Sequence, residues 1–198
     1  MSLTGNNILA GASGQSTGYD IDQSLRFDDG DSPELTRTFA AGDQLKWTFA
    51  GWVKRGNLGT EQQIFCNLNS GGSVGTYFNF KTDNSLRIGD INTSFQWELL
   101  TSQLFRDVGA WLHIAIAYDS AQGVSANRVK IYINGTQVTD FATENYPSLS
   151  YSGYTNSAIE HAVGARAVAN SEYMDGYLAE VHFIDGTALT PASFGETD

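Results

Sequence analysis

Three histidines, one cysteine and a scatter of carboxylates are the groups in this chain that could shuttle a proton, attack a carbonyl or hold a metal. Nucleophilic hydrolysis requires a Ser or Cys within hydrogen-bond reach of a His that a carboxylate orients. His113 and His182 fall inside alternating, apolar segments, His161 is the third, no G-x-S-x-G element occurs, and Cys66 follows Ile64-Phe65 in a stretch that reads as a buried strand. His113 and His182 are expected to be strand side chains and Cys66 a core side chain. Asp28, Asp29 and Asp31 surround Gly30, and clustered oxygen donors of this kind suit Ca2+. The D-x-[DN]-x-[DN]-G spacing and its later Glu are missing, so the turn is a calcium candidate without being an EF-hand loop. Asp83, Asp119 and Asp175, at expected strand ends, are further oxygen donors. A sugar ring needs an aromatic face for its apolar side and Asn, Asp or Arg for its hydroxyls. Tyr146, Tyr151, Tyr154 and Tyr173 lie in the least regular, Ser/Asn-rich part of the chain and are the candidate ligand-binding residues; tyrosines that anchor a long connection through their hydroxyls carry the same signature. Trp97 alternates with Phe95 and Leu99 and reads as core.

The segments that must position these residues are short and rich in Val, Ile, Tyr, Phe and Trp, with Gly, Asn, Asp and Ser between them, and helix-period stretches are almost absent. The chain reads as all-β. Its 21 glycines against 3 prolines agree, because Gly supplies positive φ in hairpin turns whereas Pro removes a ladder donor. From Gln44 to Arg55 the odd residues Leu45, Trp47, Phe49 and Val53 are expected to face a core, with Lys46, Thr48, Trp52 and Lys54 on the other side. Trp111 to Asp119 is apolar on both faces, as a central strand covered on both sides should be. Arg128 to Asn134 ends in Asn134-Gly135, a hairpin signal, so Thr136 to Phe141 is expected to return beside it. Phe78 to Lys81, Leu86 to Ile88 and Phe95 to Leu99 read as a meander with turns at Asp83-Asn84 and Gly89-Asp90. Tyr177 to Ile184 is the last strand, closed by Asp185-Gly186, and Thr190-Pro191-Ala192-Ser193 reads as one helical turn with Thr190 as N-cap.

The 198 residues carry 11 basic and 22 acidic side chains, a net charge of −11, with 41% apolar and 17% charged residues. This is too apolar for disorder, and a chain so acidic has no basic field with which to displace counterions from a nucleic acid. No run of about 18 apolar residues occurs, and Met1 to Ala12 lack the basic and apolar regions of a secretory leader, so synthesis in a cytosol without secretion is expected. Evenly spaced strands with no linker argue for one domain over 1–198, its ends, 1–20 and 195–198, loosely held.

Six stretches, in order, resemble the laminin-G-like branch of the concanavalin A-like jelly rolls. Residues 24–27 are similar to the opening strand of that family, 47–55 to the first long core strand, 111–119 to the central strand, 129–135 to the hairpin, 162–166 to the penultimate strand and 175–181 to the closing strand. The resemblance implies a two-sheet antiparallel sandwich whose curved sheet leaves a concavity rimmed by loops. The wording of 21–27 and of 183–196 is similar to domains of phage tail fibres and other virion proteins. It implies a non-catalytic virion module, part of a longer chain, that recognises a host-surface glycan or another surface ligand. A structural module that docks onto virion subunits or onto copies of itself is the alternative, and a glycoside hydrolase is a third. Family hydrolases supply their carboxylates from one strand as E-x-D-x-E; here Glu180 and Asp185, five apart, fall on opposite faces of a regular strand. The resemblance also implies a calcium at the sheet rim, with no residue-by-residue match to its ligands.

Overall fold

The structure, a computed structural model, describes residues 23–69 and 71–194. The two ends expected to be loosely held, the opening residues read for a leader, and positions 21–22 and 195–196 of the phage-like wording lie outside the described residues.

One layer is a six-stranded antiparallel sheet. Its strands are β1 (Leu25–Phe27), β3 (Lys46–Arg55), β9 (Leu112–Asp119), β10 (Val129–Ile133), β11 (Thr136–Gln137) and β14 (Gly176–Asp185), in the spatial order β1-β14-β3-β9-β10-β11. The facing layer has two parts. Five strands run in the order β12 (Phe141–Asn145), β8 (Ser94–Leu104), β7 (Ser85–Asn92), β6 (Val74–Phe80) and β4 (Gln62–Gln63). Three more run β2 (Leu35–Thr38), β13 (Glu160–Val163) and β5 (Phe65–Cys66). Only Ile64 separates β4 from β5; its N–H donates to Phe78 O at 2.9 Å and its carbonyl accepts from Gly164 N at 3.1 Å, so the two parts form one continuous layer. The expected two-layer antiparallel sandwich is thus the architecture observed.

Alternation builds the core. Trp47, Phe49 and Val53 of β3 point inward with Ile114, Ile116 and Tyr118, and meet Phe78, Phe80, Leu86, Ile88, Trp97 and Leu99 from the facing layer. The ring of Phe49 lies edge-on to Phe78 at 4.8 Å, joining the layers directly. Arg55, on the same parity, is buried at the end of β3; it donates to Asn84 Oδ1 at 3.0 Å and Phe105 O at 2.8 Å, and its cation lies over the Phe80 ring. β9 lies between β3 and β10, as its two apolar faces require. Its outward face is covered because residues 187–194 run across it: Thr48 Oγ1 donates to Thr187 O at 2.6 Å and accepts from Leu189 N at 2.8 Å, and Phe194 packs near His113 and His182.

Four expectations need correction. Gly89-Asp90 is no turn but the middle of β7; the reversal comes at Thr93, with φ 65°. Gly89 serves close approach instead, since a Cβ there would stand 2.5 Å from Trp97 O on the next strand. Only Thr136–Gln137 return beside β10, after which the chain crosses between layers and Phe141–Asn145 pair with β8. β14 carries a bulge between Ala179 and His182, with Glu180 at φ 48°, so Leu178 and Phe183 both face the core and the strict alternation argued for Glu180 and Asp185 fails. Thr190 does precede the turn Pro191–Ser193, but its side chain makes no capping bond.

Candidate functional site

The residues with catalytic chemistry are built into the scaffold. His161 is buried and stacked on Phe39 at 4.2 Å; Nδ1–H donates to Ile159 O at 2.9 Å and Nε2 accepts from Asn156 N at 3.1 Å, which fixes a neutral tautomer, and burial lowers its pKa. Burial likewise lowers His113, whereas His182 stays exposed, its ring 5.8 Å from that of Phe194. Cys66 is buried in β5, and burial pushes its thiol up to about 11. In the acidic turn Asp28 accepts from Gly30 N and pairs with Arg26 at 2.9 Å, Asp29 accepts from Asn57 Nδ2 at 3.0 Å, and Asp31 ends the short 3-10 turn. Asp175 lies close enough that, after burial, Asp29 and Asp28 raise its pKa. Among the described residues no three His, Cys, Asp or Glu side chains are grouped to hold a metal.

Of the four loop tyrosines, Tyr151 and Tyr154 lie near one another around Asp90. Tyr146 and Tyr151 pack against the core; the Tyr146 hydroxyl, raised by burial to about 12, donates to Glu144 Oε1 at 3.0 Å, and Tyr151 O accepts from Tyr118 at 3.0 Å. Tyr154 borders a cavity of about 320 Å³ with Leu68, Gly75 and Val168, and its N–H donates to the buried Asp90 at 3.2 Å. Tyr173 is half-buried beside Glu172, on the segment that joins β13 to β14.

The outer face of the second layer is a different environment. The parity that points Phe78, Leu86, Ile88 and Leu99 inward points Tyr77, Asn79, Arg87 and Glu98 outward, and the ladder sets Asn79 opposite Arg87 and Tyr77 opposite Gly89. The Arg87 guanidinium lies over the Tyr77 ring at 4.0 Å and within 5.7 Å of Phe95. Its Nε donates to Asn79 Oδ1 at 3.0 Å, its NH2 pairs with Glu61, and Asn79 Nδ2 donates to Glu61 at 2.5 Å. Beside this cluster Arg166 NH1 pairs with Glu172 Oε1 at 3.1 Å, and Glu172 Oε2 accepts from Gln63 Nε2 at 2.5 Å. Gly72 makes room for this pair: its φ is +64°, and a Cβ would stand 2.6 Å from Arg166 NH2. Tyr77 O–H donates to Gly72 O at 3.2 Å, and burial raises its pKa. Asn79 is fully buried beneath this cluster and the Arg87 and Arg166 side chains keep 12% of their surface each, so the half-buried rings of Tyr77 and Phe95 and the carboxylate of Glu61 are what the cluster mainly presents, with the guanidinium edges between them.

Sequence reasoning missed Tyr77, Asn79 and Arg87, although the signal was there: they are the alternate residues of strands whose inward partners were recognised. Glu61 gave none, since it lies 26 positions from Arg87 across two turns.

A cavity of about 590 Å³ lies elsewhere, on the flank between β1/β14 and β2/β13. Leu25, Phe27, Leu35, Phe49 and Phe65 line it, and the nitrogens of its one imidazole are already hydrogen-bonded inside the fold. The remaining lining is mixed, with Gln23, Ser24, Thr36, Arg37 and Glu180 supplying polar groups at its border.

A family model described as the concanavalin A-like lectin/glucanases superfamily, of laminin-G type, matches residues 23–193. No curated protein matches the sequence. Among solved structures, the fold is similar to domain 4 of AbnA, a GH43 extracellular arabinanase from Geobacillus stearothermophilus in complex with arabinotriose, at 20% identity and TM-score 0.59, over 89% of this chain and 83% of that one. It is similar to the heptameric SAP-like pentraxin of Limulus polyphemus at 20% identity and TM-score 0.57, over 88% and 81%. Tailspike protein 2 of an Escherichia coli O157:H7 bacteriophage aligns at 14% identity and TM-score 0.53, over 83% of this chain and 23% of the tailspike. At these identities the likeness establishes the fold.

Proposed function

The chain belongs to the concanavalin A-like lectin/glucanase superfamily, and from that premise we propose that it is a non-catalytic glycan-binding module whose site is the outer face around Arg87. The observation that carries this reading is the cluster of Arg87, Glu61 and Asn79 beside the rings of Tyr77 and Phe95. A sugar presents an apolar C–H face and a rim of hydroxyls, and this surface offers aromatic edge and paired donors and acceptors side by side. The carboxylates that meet here, Glu61 and Glu172, each sit against a guanidinium, an arrangement suited to accepting hydrogen bonds from hydroxyls rather than to delivering a proton to a leaving group. The bound arabinotriose of the arabinanase domain supports a sugar as ligand. The phage-like wording of the chain's two ends and the likeness to a tailspike support a place in a virion appendage, where the ligand is a glycan of the host surface.

A glycan array read with wild type, Arg87→Ala and Phe95→Ala tests the assignment. Wild type should bind at least one glycan, and both variants should lose about tenfold or more in affinity while keeping the wild-type circular dichroism spectrum. Binding that survives Arg87→Ala unchanged, or no binding by wild type at all, removes the face from consideration.

A further inference from the structure

We infer that the ligand of this face is a neutral glycan, built of uncharged hexose or pentose units with neighbouring hydroxyls, and that sialylated, uronic-acid and sulfated glycans are excluded. The inference rests on the glycan-binding reading above and adds the charge class of the ligand.

Both guanidiniums on the face already have an anionic partner. Arg87 pairs with Glu61, which keeps 32% of its side chain exposed, and Arg166 pairs with Glu172 while also donating to Asn69 O at 3.1 Å. Glu98 adds another carboxylate directly opposite Gly89, beside Arg87 on the middle strand. Lys81 follows β6 in the same turn as Asp83, whose carboxylate it helps hold below the usual range, after the hydrogen bonds from Ser85. The chain as a whole carries −11. A carboxylate or sulfate arriving here therefore meets Glu61, Glu98 and Glu172 with no uncommitted guanidinium, and like charges placed together cost both affinity and approach rate.

The same pairing is the complement of a hydroxyl. An O–H can donate to a glutamate oxygen while accepting from the neighbouring arginine N–H, so a donor beside an acceptor fits an alcohol better than it fits an anion, which can only accept. Asn79, bonded to both Arg87 and Glu61, holds that pair at a fixed spacing, and Gln63 does the same for Glu172. Two such pairs on one face suit a run of secondary hydroxyls.

The test is an array of matched neutral and acidic glycans, arabino- and galacto-oligosaccharides against oligogalacturonates and sialyllactose, followed by titration of the hits at about 50 mM salt, where screening is weak. Wild type should prefer neutral members by about tenfold or more, with neutral affinity nearly independent of salt. Glu61→Gln and Glu172→Gln should shift the ratio toward acidic members at least about threefold; a variant that merely folds poorly lowers both affinities together and leaves the ratio in place. Acidic glycans bound through Arg87 as tightly as their neutral counterparts overturn the charge assignment and leave the binding face standing. No glycan bound at all removes both.

Discussion

The two outer faces of the sandwich have the same strand geometry and opposite fates. Over the first layer, residues 187–194 lie across Thr48 and His113, and both partners of the Thr48 hydroxyl come from that segment. Over the second layer, Tyr77 and Arg87 point away from the core among Glu61, Phe95 and Glu98, over a fully buried Asn79 that ties Arg87 to Glu61. The covered face needs one hydroxyl with its donor and acceptor both engaged, whereas the other organises four kinds of side chain into a single array. A surface the chain closes for itself can be simple; a surface left for a ligand has to be preorganised in advance.

The largest expected effect is one that should not distinguish the faces. Phe49→Ala removes the ring that touches Phe65 and Phe78 and should cost about 3–5 kcal/mol in urea unfolding, loosening both faces together. If one face keeps its hydrogen-exchange protection while the other loses it, the layers do not share a core.

Next is an effect beneath the second layer only. Asp90 is buried on the inward side of β7, accepting from Thr76 Oγ1 at 2.6 Å and from Tyr154 N, and burial raises its carboxyl to about 6. Its folded pKa stands above its unfolded value, so the stability it contributes is complete below about pH 4 and is lost as pH rises through about 6. Asp90→Asn should remove that slope, a difference of at most about 3 kcal/mol between pH 4 and pH 7.5. Asn can donate to Thr76, whose hydroxyl then turns to Thr155, 2.9 Å away. Parallel pH profiles for the two proteins would show that the carboxyl does not titrate in this range.

The smallest effect is confined to the covered face. Thr48→Val takes away the acceptor of Leu189 N and the donor to Thr187 O, and should cost about 1–2 kcal/mol. Proteolysis should then speed up within 187–194, while glycan affinity stays where it was. A change in affinity would mean that the two faces are coupled.

Much of this organisation could be read from residue order. Trp47, Phe49 and Val53 declare their inward parity, the two apolar faces of 111–119 announce a covered central strand, and Asn134-Gly135 marks a tight hairpin. Gly89 misled because glycine marks both turns and close approaches, and only the distance to Trp97 O separates them. The bulge at Glu180 has no composition of its own, since φ 48° there is set by pairing with β3. The site was half legible. Tyr77, Asn79 and Arg87 were readable from the alternation although they were missed, whereas their meeting with Glu61 and Glu172 depends on loops whose path no local pattern encodes. The loop tyrosines illustrate the converse: an irregular, polar neighbourhood looks the same in sequence whether its rings face solvent or, like Tyr146 and Tyr151, rest on the core.

The strands that end each layer are short: β1 has 3 residues, β2 has 4, β11 has 2 and β12 has 5, against 10 and 11 for β3 and β8. Each of these four terminal strands offers an incoming ribbon only a few rungs before the chain turns away, which blunts edge-to-edge pairing where they close a layer; beside β1, by contrast, the longer β14 keeps residues 179–185 beyond its three paired rungs.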